Sequence, residues 1–458
     1  MSQTKTAVVS IANEKIVNGE QKGLSPEYQT ERSECRSEDN KESRLKGKNE
    51  FDFWIPDKEV AKNYGLPVKY FIPEWDDRVD PDYNFIADEP VMGRDPYTHD
   101  LYAHEIYGMS NYDGVLISKV TIEESQTKRE KVSSMSVHDF IRFSDGPIMG
   151  DCGAFSYIKQ PEPPYQTVEI LDYYEKMGFD YGVSIDHLIV GDIALDPDER
   201  KRRFNITRDN ANEFYSLWNK GGYKFKPIGV AQGWDPQSFC ESVACLVDMG
   251  YERIALGSLA RAPSKVIIEI LKEVREVIPD YLKVHLFGVA RLDLLPAFRR
   301  LGMTSFDSAS YLRSAWLNSN GKNYFTLDGS HYSAIRVPPT DGRTVKKMVE
   351  QGRGSMELFK ILEGEALKAL RRYDKGLAAL DETLEKVLAY DRLIGGDRGR
   401  HAEMYRRTLE EQPWKSCGCK ICEDVGIEVI IFRRNNRNRR RGFHNTYVFY
   451  KLFQEICK

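Results

Sequence analysis

Short apolar runs recur along the middle of the chain, and each closes on a polar or glycine-rich tip. They are 148-IMGDCGAF-155, 182-GVSIDHLIVG-191, 226-KPIGVAQG-233, 254-IALGSLA-260, 283-KVHLFGVAR-291 and 303-MTSFDSASYLR-313. Two earlier runs, 66-LPVKYFIPEW-75 and 114-GVLISKV-120, bring the set to eight. Helical patterns separate them. The run 166-QTVEILDYYEKMG-178 starts at a threonine and stops at a glycine. In 235-DPQSFCESVACLVDMG-250, Asp235 is the N-cap, Pro236 takes N1 and Gly250 is the stop. The runs 263-PSKVIIEILKEVREVI-278 and 291-RLDLLPAFRRLG-302 complete the crossover helices. Strand and helix in alternation predict a parallel α/β sheet. Eight strands fit a (β/α)8 barrel, with a doubly wound open sheet as the structural alternative.

In such a barrel the C-terminal strand ends carry the chemistry. The tips bring Asp151, Asp186, Gln232 and Asp307 to one pocket. A carboxylate accepts and an amide both donates and accepts, so Asp186 and Gln232 suit the edge of a heterocycle. The glycines around Asp151 let backbone approach a ligand, and Phe155 offers a ring for a flat base. Small neighbours, Ser308 and Ala309, leave the Asp307 carboxylate accessible. Any one of these aspartates alone reads as a cap or surface residue; together they read as a site.

The pattern changes at both ends. Residues 1–50 are polar and charged and predict a disordered leader. The stretch 76-DDRVDPDYNFIADEP-90 is an acidic loop with turn prolines. After residue 325, 355–393 is strongly helical, with Leu358, Ile361, Leu362, Leu367 and Leu370 on one face and Gly376 dividing it. The expected organisation is a barrel over 51–340, a helical insertion over 341–412 and a metal-binding subdomain over 413–458.

Charge adds a constraint. The net charge of −4 excludes a globally basic nucleic-acid binder, so such binding needs a local patch. No apolar run reaches the ~18 residues of a membrane span, and no signal-peptide pattern opens the chain, which points to the cytoplasm and away from membranes. Eight cysteines in 458 residues do not suggest a disulfide scaffold. Three of them crowd into 417-CGCKICEDVGIEVIIFRRNNRNRRRGFH-444. Cys417, Cys419, Cys422 and His444 supply three thiolates and an imidazole, the donor set of a closed, structural Zn²⁺ site. Within that motif, 433-RRNNRNRRR-441 reads as an arginine-rich loop. Its Arg433, Arg434, Arg437, Arg439, Arg440 and Arg441 suit phosphate contacts.

These motifs together resemble the queuine/archaeosine tRNA-guanine transglycosylase superfamily, over about residues 110–325 and 413–450. Asp151-Cys152-Gly153-Ala154-Phe155 matches its Asp-Ser-Gly-Gly-Phe/Tyr box. Asp186 matches the base-reading aspartate, and Gly229-Val230-Ala231-Gln232-Gly233 the Gly-x-x-Gln-Gly box. Gly257-Ser258-Leu259-Ala260 matches Gly-Gly-Leu-Ala, Phe287-Gly288-Val289-Ala290 matches Met-Gly-Val-Gly, and Phe306-Asp307-Ser308 matches the nucleophile box. The resemblance implies exchange of guanine for a 7-deazaguanine base, with Asp307 as nucleophile and Asp151 as general acid/base. Asp186, Gln232, Gly233 and the backbone of Gly257 to Ala260 would hold the purine, with Phe155 and Phe287–Gly288 against its ring.

Several positions depart from the tRNA enzymes. Tyr311-Leu312-Arg313 replaces Pro-Thr-Arg. Pro263 stands where an aminomethyl-accepting glutamate is expected. A helical block separates the last strand from the metal motif. With 69-KYFIPEWDDRVDPDYNF-85, these features resemble the branch that places 7-deazaguanine in DNA. DNA is therefore expected over tRNA as polynucleotide, and the nitrile 7-cyano-7-deazaguanine (preQ0) over the aminomethyl base. Whether a partner ATPase of the same modification system is needed stays open. The rivals are a tRNA-guanine transglycosylase and an inactive barrel that binds nucleic acid within an assembly.

Overall fold

The computed structural model describes residues 67–73, 76–317, 320–395 and 400–457. The expected leader lies outside them. All eight anticipated strands form, and they close into one parallel barrel in chain order. They are β1 (Lys69–Ile72), β2 (Gly114–Ser118), β3 (Ile148–Asp151) and β4 (Tyr181–Val183). β5 (Lys226–Ala231), β6 (Arg253–Leu256), β7 (Lys283–Leu286) and β8 (Met303–Asp307) follow. Closure comes from β8 pairing with β1, with Lys69 beside Ser305 and Phe71 beside Asp307. The open-sheet alternative is thereby excluded.

Strands buried on both faces must be apolar throughout, which is why these runs are short and nearly continuous in hydrophobicity. Their alternation sorts side chains between two cores. Phe71, Leu116, Met149, Val183, Ile228, Val230 and Ala255 fill the lumen, with Tyr181 and Phe287 packed against them. Neighbours of opposite parity, such as Ile148, Ile254, Val284, Leu286 and Phe306, face the surrounding helices.

The helices follow their signals. Asp235 accepts a hydrogen bond from the Ser238 amide at 2.8 Å, Pro236 opens the helix Pro236–Met249, and Gly250 ends it at φ 99°. The helix Ser264–Val277 buries Ile267, Ile268, Ile270, Leu271 and Val274. Each such side chain contributes roughly 1.5–3 kcal/mol by leaving water. The expected helix over 291–302 forms in two pieces, a 3₁₀ turn Leu292–Leu294 and an α-helix Leu295–Arg300. Pro296 accounts for the break, since proline lacks the N–H that a longer α-helix would need there.

Beyond the barrel, the helical block contains Met356–Asp374 and Leu380–Leu393, divided where Gly376 adopts φ 70°. Its inward face is rotated from the expected one. Phe359, Ala366, Leu367, Ala369 and Leu370 are buried, whereas Leu358 and Ile361 are exposed. The chain enters the block just after Ile335–Arg336 and, past Cys417, Cys419 and Cys422, returns at Ile431–Phe432, and these two short strands pair in parallel. No described helix is long and apolar enough to cross a membrane.

Candidate active site and metal centre

Parity along each strand decides what reaches the catalytic end of the lumen. On β8, Ser305 and Asp307 point inward while Phe306 packs outward against Phe449 and Phe453. Asp307 is 6% exposed. Its Oδ1 accepts from the Gly288 amide at 3.0 Å and lies 3.2 Å from His285 Nε2. Gly288 has φ +72°, and a Cβ there would come within 2.8 Å of Ala260, so only glycine presents its N–H to the carboxylate in this way.

Asp151, at the tip of β3, accepts at Oδ2 from Ser118 Oγ at 2.8 Å and from the Gly153 amide at 2.9 Å. Burial raises its pKa above the ordinary carboxylate value, and the nearby Asp307 charge adds to the shift. Asp186 is buried beyond β4. Burial first, then the Asp151 charge, push it up to about 7. The charge of Asp307 acting on Asp151, and that of Asp151 on Asp186, mark the three as neighbours in one site.

A relay sets the orientation of Asp186. Ile189 donates its amide to Ser258 Oγ at 3.1 Å, Ser258 Oγ donates to Gln232 Oε1, and Gln232 Nε2 donates to Asp186 Oδ2 at 2.6 Å. Ser258 adopts φ 60°, a left-handed conformation unusual for serine, which aims its hydroxyl at Gln232. Gly257 lies so close to that amide that a Cβ would be 2.3 Å from Gln232 Nε2. Gly233 and Leu259 are buried beside this relay. Phe155 is 64% exposed, a free ring at the rim on the 3₁₀ turn Ala154–Tyr157. Phe287 packs edge-on to His285 with ring centroids 5.0 Å apart. A hollow of about 510 Å³, lined by residues including Ala290, Arg291, Ser310, Tyr311 and Lys322, adjoins the ends of β7 and β8.

Sequence reading missed Ser118, Tyr157 and His285. Tyr157 donates to the Asp186 carbonyl at 3.0 Å. Strand parity was the available signal for His285, since it lies two residues before Phe287 on the same face.

Cys417, Cys419, Cys422 and His444 converge, and their ligand atoms all lie within 4.8 Å of one another. Each sulfur is 3.4 Å from His444 Nδ1. Thiolate and imidazole ligands at tetrahedral corners around one ion would sit about 3.5 Å apart, so the residues fit a metal ion. The other ring nitrogen, Nε2, is 2.8 Å from the Phe325 carbonyl, which fixes the tautomer that frees Nδ1.

The arginine run requires a correction. It is not a loop between metal ligands but the opening of the helix Arg434–Ile456. Arg433, Arg437, Arg440 and Arg441 are 5%, 0%, 4% and 0% exposed, so they are not phosphate contacts. Arg437 bonds Glu428 at 2.7 Å and pairs with Asp88, and Arg433 holds Asp88 at 2.8 Å and Glu363 at 2.7 Å. Arg440 donates to the Asp80 carbonyl at 2.9 Å and Arg441 to that of Ala315 at 2.7 Å. Burial raises the Asp88 pKa, but the Arg437, Arg433 and Arg434 guanidiniums outweigh it and hold the carboxylate below its ordinary value. The acidic loop after β1 is thus clamped by the run. Arg434 and Arg439 remain half-exposed, paired with Asp341 and Asp77.

A barrel of this form, with carboxylates at the ends of β3 and β8 and a Cys₃His cluster beyond, is matched over residues 98–458 by the family model for queuine tRNA-ribosyltransferase. The chain belongs to that family of glycosyl-transferring enzymes. It is 37% identical over 410 residues to a DNA-guanine transglycosylase of Salmonella montevideo, covering 84% of this chain and 97% of that one. A tRNA-guanine(15) transglycosylase of Methanococcus maripaludis (strain C6) is 25% identical over 207 residues, 44% of this chain and 31% of the archaeal one. The corresponding Nanoarchaeum equitans protein is 24% identical over 227 residues, 48% of this chain and 52% of its own. The chain therefore spans only a third to a half of these archaeal relatives.

Proposed function

We propose that this enzyme exchanges guanine for a 7-deazaguanine base in DNA through a covalent aspartyl-glycosyl intermediate. The observation that carries the reading is the Asp307 carboxylate, buried at a strand end with one oxygen held by donors. Asp307 attacks C1′ as the C1′–N9 bond breaks. The bonding pair leaves with guanine, which takes a proton from Asp151. In the second half the incoming base returns its N9 proton to Asp151 and its nitrogen displaces the carboxylate, so configuration is retained. Burial raises the Asp151 pKa, the direction that suits a group that gives up a proton and takes it back. Ionised Asp186 accepts from the N–H groups of the guanine edge, and Gln232 has one amide hydrogen left for the carbonyl. Gly233 and the backbone of Gly257 to Ala260 border the base, and Phe155 and Phe287–Gly288 bracket its ring.

The match to the DNA enzyme along nearly its whole length favours DNA over tRNA. A target in a duplex must first be extruded. Arg434 and Arg439, at the surface of the arginine run, are the two members of the predicted phosphate set left to meet the backbone. Cys417, Cys419, Cys422 and His444 hold one structural Zn²⁺, which joins the end of the helical block to the helix Arg434–Ile456 and takes no part in the reaction.

Incorporation of radiolabelled guanine into DNA and tRNA, with wild type beside Asp307→Ala, tests this. Incorporation into DNA by the wild type alone is expected; transfer to tRNA alone would favour the rival enzyme. The same assay with competing bases tests the pocket. Pro263 and the exposed Arg261 offer an ammonium no counter-charge, so 7-cyano-7-deazaguanine should outcompete the aminomethyl base. Preference for the amine would mean that another acid replaces the missing glutamate.

A further inference from the structure

We propose that His285 is a positioning residue. With the Gly288 amide it commits Oδ1 of Asp307 and leaves Oδ2 as the attacking atom. The inference rests on Asp307 being the nucleophile. Both donors address the same oxygen, at 3.2 Å from Nε2 and 3.0 Å from the amide. Among the described residues no hydrogen bond reaches Oδ2. The second ring nitrogen of His285, Nδ1, is 2.9 Å from Ser305 Oγ. A serine hydroxyl donating to Nδ1 keeps the imidazole proton on Nε2, where the carboxylate accepts it. The ring is buried and cannot swing away. Phe71 meets it edge-on at 5.7 Å and Phe287 at 5.0 Å.

The arrangement acts in both halves of the exchange. Oδ2 forms the bond to C1′ while C1′–N9 breaks and its electron pair departs with the purine. Oδ1 becomes the carbonyl oxygen of the resulting ester. When the incoming N9 attacks C1′, the Oδ2–C1′ pair returns to the carboxylate, and the charge that develops is shared with an oxygen that already has two donors. Such donors lower the barrier because they need no reorganisation. A carboxylate that cannot rotate also holds Oδ2 in one direction of approach.

Two substitutions separate this role from packing. His285→Gln keeps an N–H at the place of Nε2. His285→Asn keeps a nitrogen near Ser305 but leaves Asp307 with only the Gly288 amide. Exchange of labelled guanine is measured with the full-length chain on whichever polynucleotide the wild type modifies, plasmid DNA or bulk tRNA. His285→Asn should lower kcat about 10- to 100-fold with KM for the base nearly unchanged, and His285→Gln should stay within about threefold of wild type. Should a ring variant melt early, Ser305→Ala provides the same readout, as a severalfold loss of kcat at constant KM. Equal losses in Asn and Gln variants that both melt like wild type, or full activity in His285→Asn or Ser305→Ala, overturn the inference. Asp307→Ala is run alongside. If it still exchanges, the nucleophile assignment fails; if it is dead while His285→Asn is fully active, only the positioning role fails.

Discussion

Two regions of the molecule bury charge, and they do so in opposite ways. At the mouth of the barrel, Asp151 and Asp186 share a site with Asp307, and among the described residues neither has a cationic side chain as its hydrogen-bond partner. Their pKa values rise. Around the start of the helix Arg434–Ile456, Asp88 is buried against three guanidiniums and its pKa falls. Buried charge without a counter-charge costs stability and persists only where something else requires it. Buried charge that is paired on all sides fixes structure and offers little to a ligand. The first region reads as chemistry and the second as a clamp on the acidic loop.

The largest effect that sharpens this contrast is Asp307→Ala. Exchange should fall by about 10⁴-fold or more while the melting temperature holds, because in the proposed mechanism the group acts in the transition state and contributes little to packing. Exchange near the wild-type rate would remove the chemical reading of the first region.

Next comes the metal. One zinc per chain is expected, and Cys419→Ser should lose it and loosen the C-terminal region, because metal binding is coupled to folding. Metal analysis that finds stoichiometric zinc in this variant overturns the ligand set.

The clamp itself is weakened by Arg437→Ala, which takes one of three guanidiniums from Asp88 and one of two from Glu428 and should cost about 3 kcal/mol in denaturant unfolding, the low end for a broken buried pair. Arg439→Ala, at a half-exposed pair, should cost under ~1 kcal/mol. It should instead reduce the salt dependence of nucleic-acid binding by about one charge, a change that the buried arginines cannot produce. Equal stability losses would erase the division between clamp and surface.

The smallest effect concerns pH. With Asp186 pushed up to about 7, its ionised form is lost as pH falls below that value. In the proposed mechanism the base needs that ionised form as acceptor, so KM for the base should rise roughly tenfold per pH unit below 7. The stability sign is opposite. A carboxyl whose folded pKa is raised favours the fold below the unfolded value of about 4, and that contribution is lost as pH rises through 7. Asp186→Asn should therefore melt higher than wild type at pH 8 and bind the base poorly with no acid limb. A flat KM profile in the wild type would place Asp186 outside the base site.

Much of this was legible from residue order. Every barrel strand could be read because strands buried on both faces are written as unbroken apolar runs, and the tip residues that end them are conspicuous. The cysteine spacing carried the metal cluster because ligands close in sequence need little from the fold. The arginine run was misread for an equally physical reason. Density of charge says nothing about partners, and Asp88 and Glu363 lie far away in sequence from the guanidiniums they neutralise. The roles of His285 and Ser118 could not be read from the sequence because such side chains acquire their roles only when a neighbouring strand presents a carboxylate to them.

The pairing of Ile335–Arg336 with Ile431–Phe432 has a consequence for how such a chain can change. Adjacent strands run about 4.8 Å apart, so the two ends of the excursion that carries the helical block and the three cysteines are side by side. A segment attached at two neighbouring points can be lengthened, shortened or exchanged without moving the barrel. The block is nonetheless anchored to its surroundings, since its Glu363 meets Arg433 and its Arg371 meets Glu428. A lineage that trims the excursion must therefore rewrite the arginine helix too, and the two stretches of sequence should be gained and lost as one unit.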